Sequence, residues 1–179
     1  MSNLDTVTGQ RILRMPDSFQ NLFMETIASE AERSDFLTEQ LGDGSMGFMN
    51  SAEFQSNTHT YARSLSSDYK SERWECSGTN NRESFFIYPS GQDTLYELDS
   101  SMKVDNKIFG LLCSIVGLEK GTDRPNSEKG ISNLFQLKYE QLEIGAHEAI
   151  NHLLDTESEL DELMALTWLK ELISYYADC

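Results

Sequence analysis

Residues 72–98 read ERWECSGTNNRESFFIYPSGQDTLYEL, and here the pattern of the chain changes from helical to extended. Three short runs, RWECSG, ESFFIYP and DTLYELD, are rich in aromatic side chains and are separated by GTNN and SGQD, both of which are turn compositions. Large side chains alternate at Trp74 and Cys76, at Phe86 and Tyr88, and at Tyr96 and Leu98, the period of two that a half-buried strand requires. The expectation is a three-stranded antiparallel meander over about 72–98 with one face buried. Helical patterns lie on both sides of it, so the fold class is α+β.

Downstream of this sheet, Asp105 stands where it can cap a run whose apolar positions Ile108, Leu111, Leu112, Ile115 and Leu118 share a helix face. Its other positions are mostly small or apolar too, which marks a central buried helix. A polar loop, EKGTDRPNSEKG, leads to a helix over about 131–154 carrying Leu134, Phe135, Leu142 and Ile150. Thr156, with Glu159 three residues later, has the pattern of a capping box ahead of a last helix containing Leu160, Leu163, Trp168 and Leu172. Upstream, residues 1–10 show no period and read as a loose arm, and Arg11–Met15 reads as an extended segment before Pro16. Phe19, Leu22, Phe23 and Ile27 open an amphipathic helix over about 18–41 with a break near Ser34–Asp35. GDGSMG, 42–47, reads as a turn or exposed loop, and a further helix runs from Ser51 to Leu65.

The chain has 179 residues, the size of one ordinary domain. Lys and Arg number 14 against 30 Asp and Glu, a net charge of −16, which disfavours direct nucleic-acid binding and an anionic membrane surface. Residues 137–179 alone carry a net −8. No apolar stretch reaches the length of a membrane helix, and MSNLDTVTGQR lacks the apolar centre of a secretory signal. Three widely spaced cysteines, Cys76, Cys113 and Cys179, support neither a disulfide framework nor a zinc cluster. A cytoplasmic protein is expected.

No chemistry-bearing motif stands out. HEAINH invites comparison with the zinc-protease helix, but His147 and His152 are five residues apart, about 140° round a helix, whereas two ligands at i and i+4 are needed on one face. GxSxG is absent, and Gly42–Gly47 is followed by no Gly-Lys-Ser/Thr. Cys76 and Cys113 read as small core hydrophobes. The acids from Asp155 to Glu162 lack the ligand order of a calcium loop. They fit a helix N-terminus or, if aligned like phosphates, an imitation of DNA.

RILRMPDSF (11–19), SLSSDYKSERWEC (64–76) and ESFFIYP (83–89) stand in this order along the chain. They resemble, in turn, the opening Arg, Leu, Pro and Phe pattern, the L-x-x-D-Y-x-x-x-x-W-E segment and the following strand of the ArdB/KlcA antirestriction protein family of mobile elements. SMKVDNKIFGLLCSIVGLE (101–119) is similar to its helix start and apolar continuation, and YEQLEIGAHEAINHLLD (139–155) to its closing helix. Lys70–Arg73 and Asn80–Arg82 replace glycine-rich pieces of the family pattern, residues 42–57 look inserted, and an acidic helix over 156–179 looks appended to an ArdB/KlcA-like domain at 11–155.

The resemblance implies an α+β domain with a small antiparallel sheet, no cofactor and no active site, which relieves type I restriction of incoming DNA inside a bacterial host. The expected function is therefore a non-enzymatic, antirestriction inhibitor from a mobile element or phage. Its expected partner is a protein, a restriction or CRISPR nuclease complex. The candidate contacts are Asp68, Tyr69, Arg73 and Trp74 at the start of the sheet, and Glu157, Asp161 and Glu162 in the acidic helix. An acidic DNA mimic working through the last three is the alternative, and a small hydrolase using His147 and an acid is a third reading. Trp168, Tyr175 and Tyr176 could pair with a second copy as readily as with their own core.

Overall fold

The computed structural model describes residues 4–7, 10–27, 29–70, 73–80, 83–99 and 102–177. The chain is α+β. In order it forms β1 (Leu4–Val7), β2 (Gln10–Leu13), α1 (Asp17–Phe23), β3 (Met24–Thr26), α2 (Glu30–Gln40) and α3 (Gly44–Leu65). There follow β4 (Trp74–Thr79), β5 (Phe85–Pro89), β6 (Tyr96–Asp99), β7 (Met102–Val104) and α4 (Asn106–Lys120). After a short 3-10 turn, α5 (Lys129–Thr156) and α6 (Leu160–Ala177) complete the fold.

The expected meander is half correct. β4 and β5 pair antiparallel, with Cys76 opposite Ile87, but β6 leaves them and pairs with β7 in a second sheet of order β1-β2-β7-β6. The outer edge of β5 is already closed by α4. The Ser114 hydroxyl accepts the Ile87 N–H at 2.9 Å and donates to the Ile87 carbonyl at 3.1 Å, and the Asn106 amide donates to the Pro89 carbonyl at 2.8 Å. The backbone groups of Ile87 and the Pro89 carbonyl are thereby taken and do not serve a third strand. The open edge is that of β4, and β3 takes it, with Glu25 opposite Gly78.

That pairing also splits the expected 18–41 helix, which breaks at Met24–Thr26 rather than at Ser34–Asp35. α2 restarts behind Ser29, whose hydroxyl accepts the Glu32 N–H at 3.1 Å. The loose arm is likewise corrected where it is described: Leu4–Val7 pairs antiparallel with β2, and β2 runs parallel to β7. Residues 1–3, 8 and 9, with Glu72, Asn81, Arg82 and Cys179, lie outside the described residues. GDGSMG is not a loop throughout, because α3 begins at Gly44, at a φ of 56°, and continues through the segment read as inserted. Leu41 accepts the Asn50 side-chain amide at 2.8 Å, and Phe54 is fully buried, so this segment is part of the core.

α4 is the central helix expected from the sequence, buried from Ile108 to Leu118. Asp105 caps it, accepting the Ile108 N–H at 2.9 Å with one oxygen and the Met15 N–H at 2.9 Å with the other. Burial raises the pKa of that carboxyl, against the two backbone donors that favour its charge. β5 is buried on both faces rather than one, from Phe85 through Pro89. Phe85 meets Phe36 and Phe54 edge-on, while Phe86 stacks on Phe23. Each such ring removes about 2 kcal/mol worth of apolar surface from water. The expected Thr156–Glu159 capping box does not form, because α5 runs on through Thr156, whose hydroxyl donates back to the His152 carbonyl at 3.1 Å. Among the described residues, no helix is long and apolar enough to cross a membrane.

Candidate functional site

The segment singled out at the start of the sheet proves to be a clasp. The Trp74 indole N–H donates to the Tyr69 hydroxyl at 3.0 Å, the two rings meet edge-to-face, and Tyr69 also lies against Phe109 of α4. Asp68 accepts the Glu97 N–H at 3.0 Å and thereby ties the end of α3 to β6. All three side chains are partly buried, and their polar atoms point into the protein. Arg73 alone is fully outward, with 63% of its side chain exposed and its guanidinium 3.6 Å from Glu30.

The three acids of the C-terminal region also differ from one another. A Glu157 carboxylate oxygen accepts the N–H groups of Ser158 and Glu159, both at 3.0 Å, and so closes the turn before α6. Glu162 accepts the Ser18 hydroxyl at 2.6 Å and ties α6 to α1. Asp161 is exposed and, among the described residues, meets no partner. Two of the three carboxylates thus accept hydrogen bonds that hold the fold.

Among the described residues, no group of three or more histidines, cysteines and acids converges as a metal site would. His147 Nε2 lies 3.6 Å from Glu143 on the same helix, a partly buried i,i+4 pair. Cys76 and Cys113 are buried free thiols, and burial pushes the Cys76 thiol up to about 12. Both therefore behave as core hydrophobes and not as nucleophiles. His59 packs against Trp74 with centroids 4.9 Å apart. Burial first, and the Arg63 charge second, lower its pKa.

Sequence reading missed a cleft of about 600 Å³ between the middle of α5, the end of α1 and the β4–β5 hairpin. Leu22, Phe23, Leu137 and Ile144 give it an apolar lining, and Glu83, Glu140 and Glu148 border it. The walls are tied together: the Ser84 hydroxyl donates to the Lys138 carbonyl at 2.9 Å, and the Lys138 ammonium donates to the Glu83 carbonyl at 2.6 Å. Leu137 is 47% and Ile144 51% exposed, a high value for large apolar residues on a long helix. The signal was present in the sequence as a second apolar register on α5, seven residues apart and opposite the core positions Leu142 and Ile150.

No family model, no curated protein and no solved structure matches this chain.

Proposed function

We propose that this protein is a non-enzymatic inhibitor of a bacterial DNA-defence complex, antirestriction against a type I enzyme being the first case, and that it acts by contact with a basic protein surface. The observation that carries this reading is the way charge is distributed between the inside and the outside of the fold. Arg33, Arg73 and Arg124 are paired with Glu75, Glu30 and Glu53 of the same chain. The carboxylates of Glu32, Asp35 and Glu39 on α2, and of Asp155, Asp161 and Glu171 on α5 and α6, meet no partner among the described residues. Such a surface repels phosphates and attracts the Lys- and Arg-lined channels with which proteins grip DNA. The resemblance of the ordered segments to ArdB/KlcA proteins points to the same class of target.

The test is the plating of unmodified phage on a strain with an active type I restriction system, with and without the protein expressed. Recovery by orders of magnitude, with host DNA methylation undisturbed, is the expected result. Unchanged plating with soluble, folded protein would remove type I restriction from the reading. The same charge distribution also fits direct occupation of a nuclease channel by carboxylates. In that case the target loses DNA binding in competition with the protein, whereas an inhibitor seated elsewhere leaves DNA binding intact.

A further inference from the structure

We infer that the cleft between α5 and the β4–β5 hairpin is a docking groove for a basic amphipathic helix of the protein partner, a proposal that rests on the reading of the chain as an inhibitor acting by protein contact. Its long wall is a single helix. From Leu137 to His152 the lining residues of α5 extend over about 22 Å, or four helical turns. The two exposed apolar side chains, Leu137 and Ile144, stand two turns and about 10 Å apart. This is the spacing at which a partner helix presents anchors at i, i+4 and i+7.

The border selects the charge of the occupant. Glu140 and Glu148 carry exposed carboxylates, Glu83 stands at the border beside Lys138, whose ammonium donates to the Glu83 carbonyl, and among the described residues no lysine or arginine lines the cleft itself. An apolar floor within an acidic rim is complementary to a helix with leucine-like residues on one face and lysine or arginine on its flanks. Phosphate-bearing ligands are repelled by the same rim. A second copy would bring another surface of net negative charge to it. The bonds between the hairpin and α5 keep the walls in place before anything binds, which lowers the ordering cost of association.

The probe is a fluorescein-labelled synthetic helical peptide about 16 residues long, with leucines at i, i+4 and i+7 and lysines on its flanks, titrated into the full chain and followed by anisotropy. Saturable binding is expected. Glu140→Gln with Glu148→Gln should raise the Kd about fivefold, and Ile144→Asp about tenfold or more. Ile144, Glu140 and Glu148 are exposed, and an unchanged Tm confirms that each variant is folded. Absence of saturable binding up to millimolar protein overturns the proposal. So does equal affinity for a scrambled peptide of the same composition, or a chain that self-associates until Ile144→Asp makes it monomeric. Phage plating separates the two levels: if Ile144→Asp abolishes peptide binding and leaves inhibition intact, the groove assignment fails alone. If the wild-type chain binds the peptide yet never restores plating, the type I restriction reading fails alone.

Discussion

The Tyr69 hydroxyl accepts the Trp74 indole N–H at 3.0 Å across the link between α3 and β4, so the residues most open to a functional interpretation in the sequence close a structural joint. Tyr69→Phe removes one partly buried hydrogen bond and leaves the indole N–H without its acceptor. The expected loss is about 1 kcal/mol, a fall in Tm of about 2–4 °C for a domain of this size. Thermal denaturation measures it. Phage-plating activity at permissive temperature should be unchanged, while Arg73→Glu, which reverses an exposed charge of the segment, is the substitution there expected to lower it under the proposed function.

A second joint links α2 to the sheet. Arg33 lies 2.7 Å from Glu75, with side-chain exposures of 10% and 29%. Truncating one partner strands a shielded charge, so Arg33→Met and Glu75→Leu should each cost about 2–4 kcal/mol. The double variant should lose less than the sum of the singles, because neither charge is then left alone. Urea denaturation of the four proteins gives the coupling energy, and strict additivity would show that the pair does not act as a unit.

Packing of α4 on β5 depends on a missing side chain. A Cβ at Gly110 would lie 2.2 Å from Tyr88 Cβ and 2.4 Å from the Ile87 carbonyl oxygen, and these are atoms of a strand that cannot withdraw. Gly110→Ala should therefore destabilise by about 3 kcal/mol or more despite alanine's higher helix propensity. The check is the denaturation midpoint, with Gly130→Ala as control, since a Cβ there meets nothing within 4 Å.

These joints show what the sequence could and could not convey. The 106–120 helix was legible because Asp105 supplies a cap and the apolar positions that follow fill more than one face. The β4–β5 pairing was legible because two aromatic runs flank a turn. The strand at Met24–Thr26 was not, because three residues inside a helical pattern become a strand only when β4 offers an open edge, a tertiary effect that propensity does not carry. A local sign of the break did exist in Ser29 and Glu32, a capping-box spacing ahead of α2. Among the candidate contacts, sequence position showed which residues stand near the sheet or the last helix, but not whether their polar atoms face water. Asp68 and Glu162 are held by a backbone and a hydroxyl donor from other elements, and Glu157 by the N–H groups of its own exposed turn.

His59 gives the fold an acid-sensitive point. Its folded pKa lies below the usual 6.5, through burial and then the Arg63 charge, so the unfolded chain takes up a proton first as pH falls. Stability attributable to this group is complete above about 6.5 and is lost as pH falls through the depressed folded value. His59→Phe, which keeps an aromatic ring against Trp74, should flatten the dependence of the denaturation midpoint between pH 7 and about 5. An unchanged slope would assign the acid sensitivity to other groups.

The outward carboxylates predict how the chain meets its target. Attraction between exposed charges is screened beyond about 8 Å at physiological ionic strength, so it acts on encounter more than on the seated complex. Asp161→Lys and Glu171→Lys alter exposed carboxylates that meet no partner among the described residues, and their folds should be unaffected. With the purified target complex, surface plasmon resonance should show a lower association rate for the double variant and a dissociation rate within about twofold of wild type. Raising salt should slow association of the wild type more steeply than that of the variant. Equal salt slopes would mean that α6 faces away from the target, and the same pair of measurements on Glu32→Lys and Glu39→Lys would then ask whether α2 faces it instead.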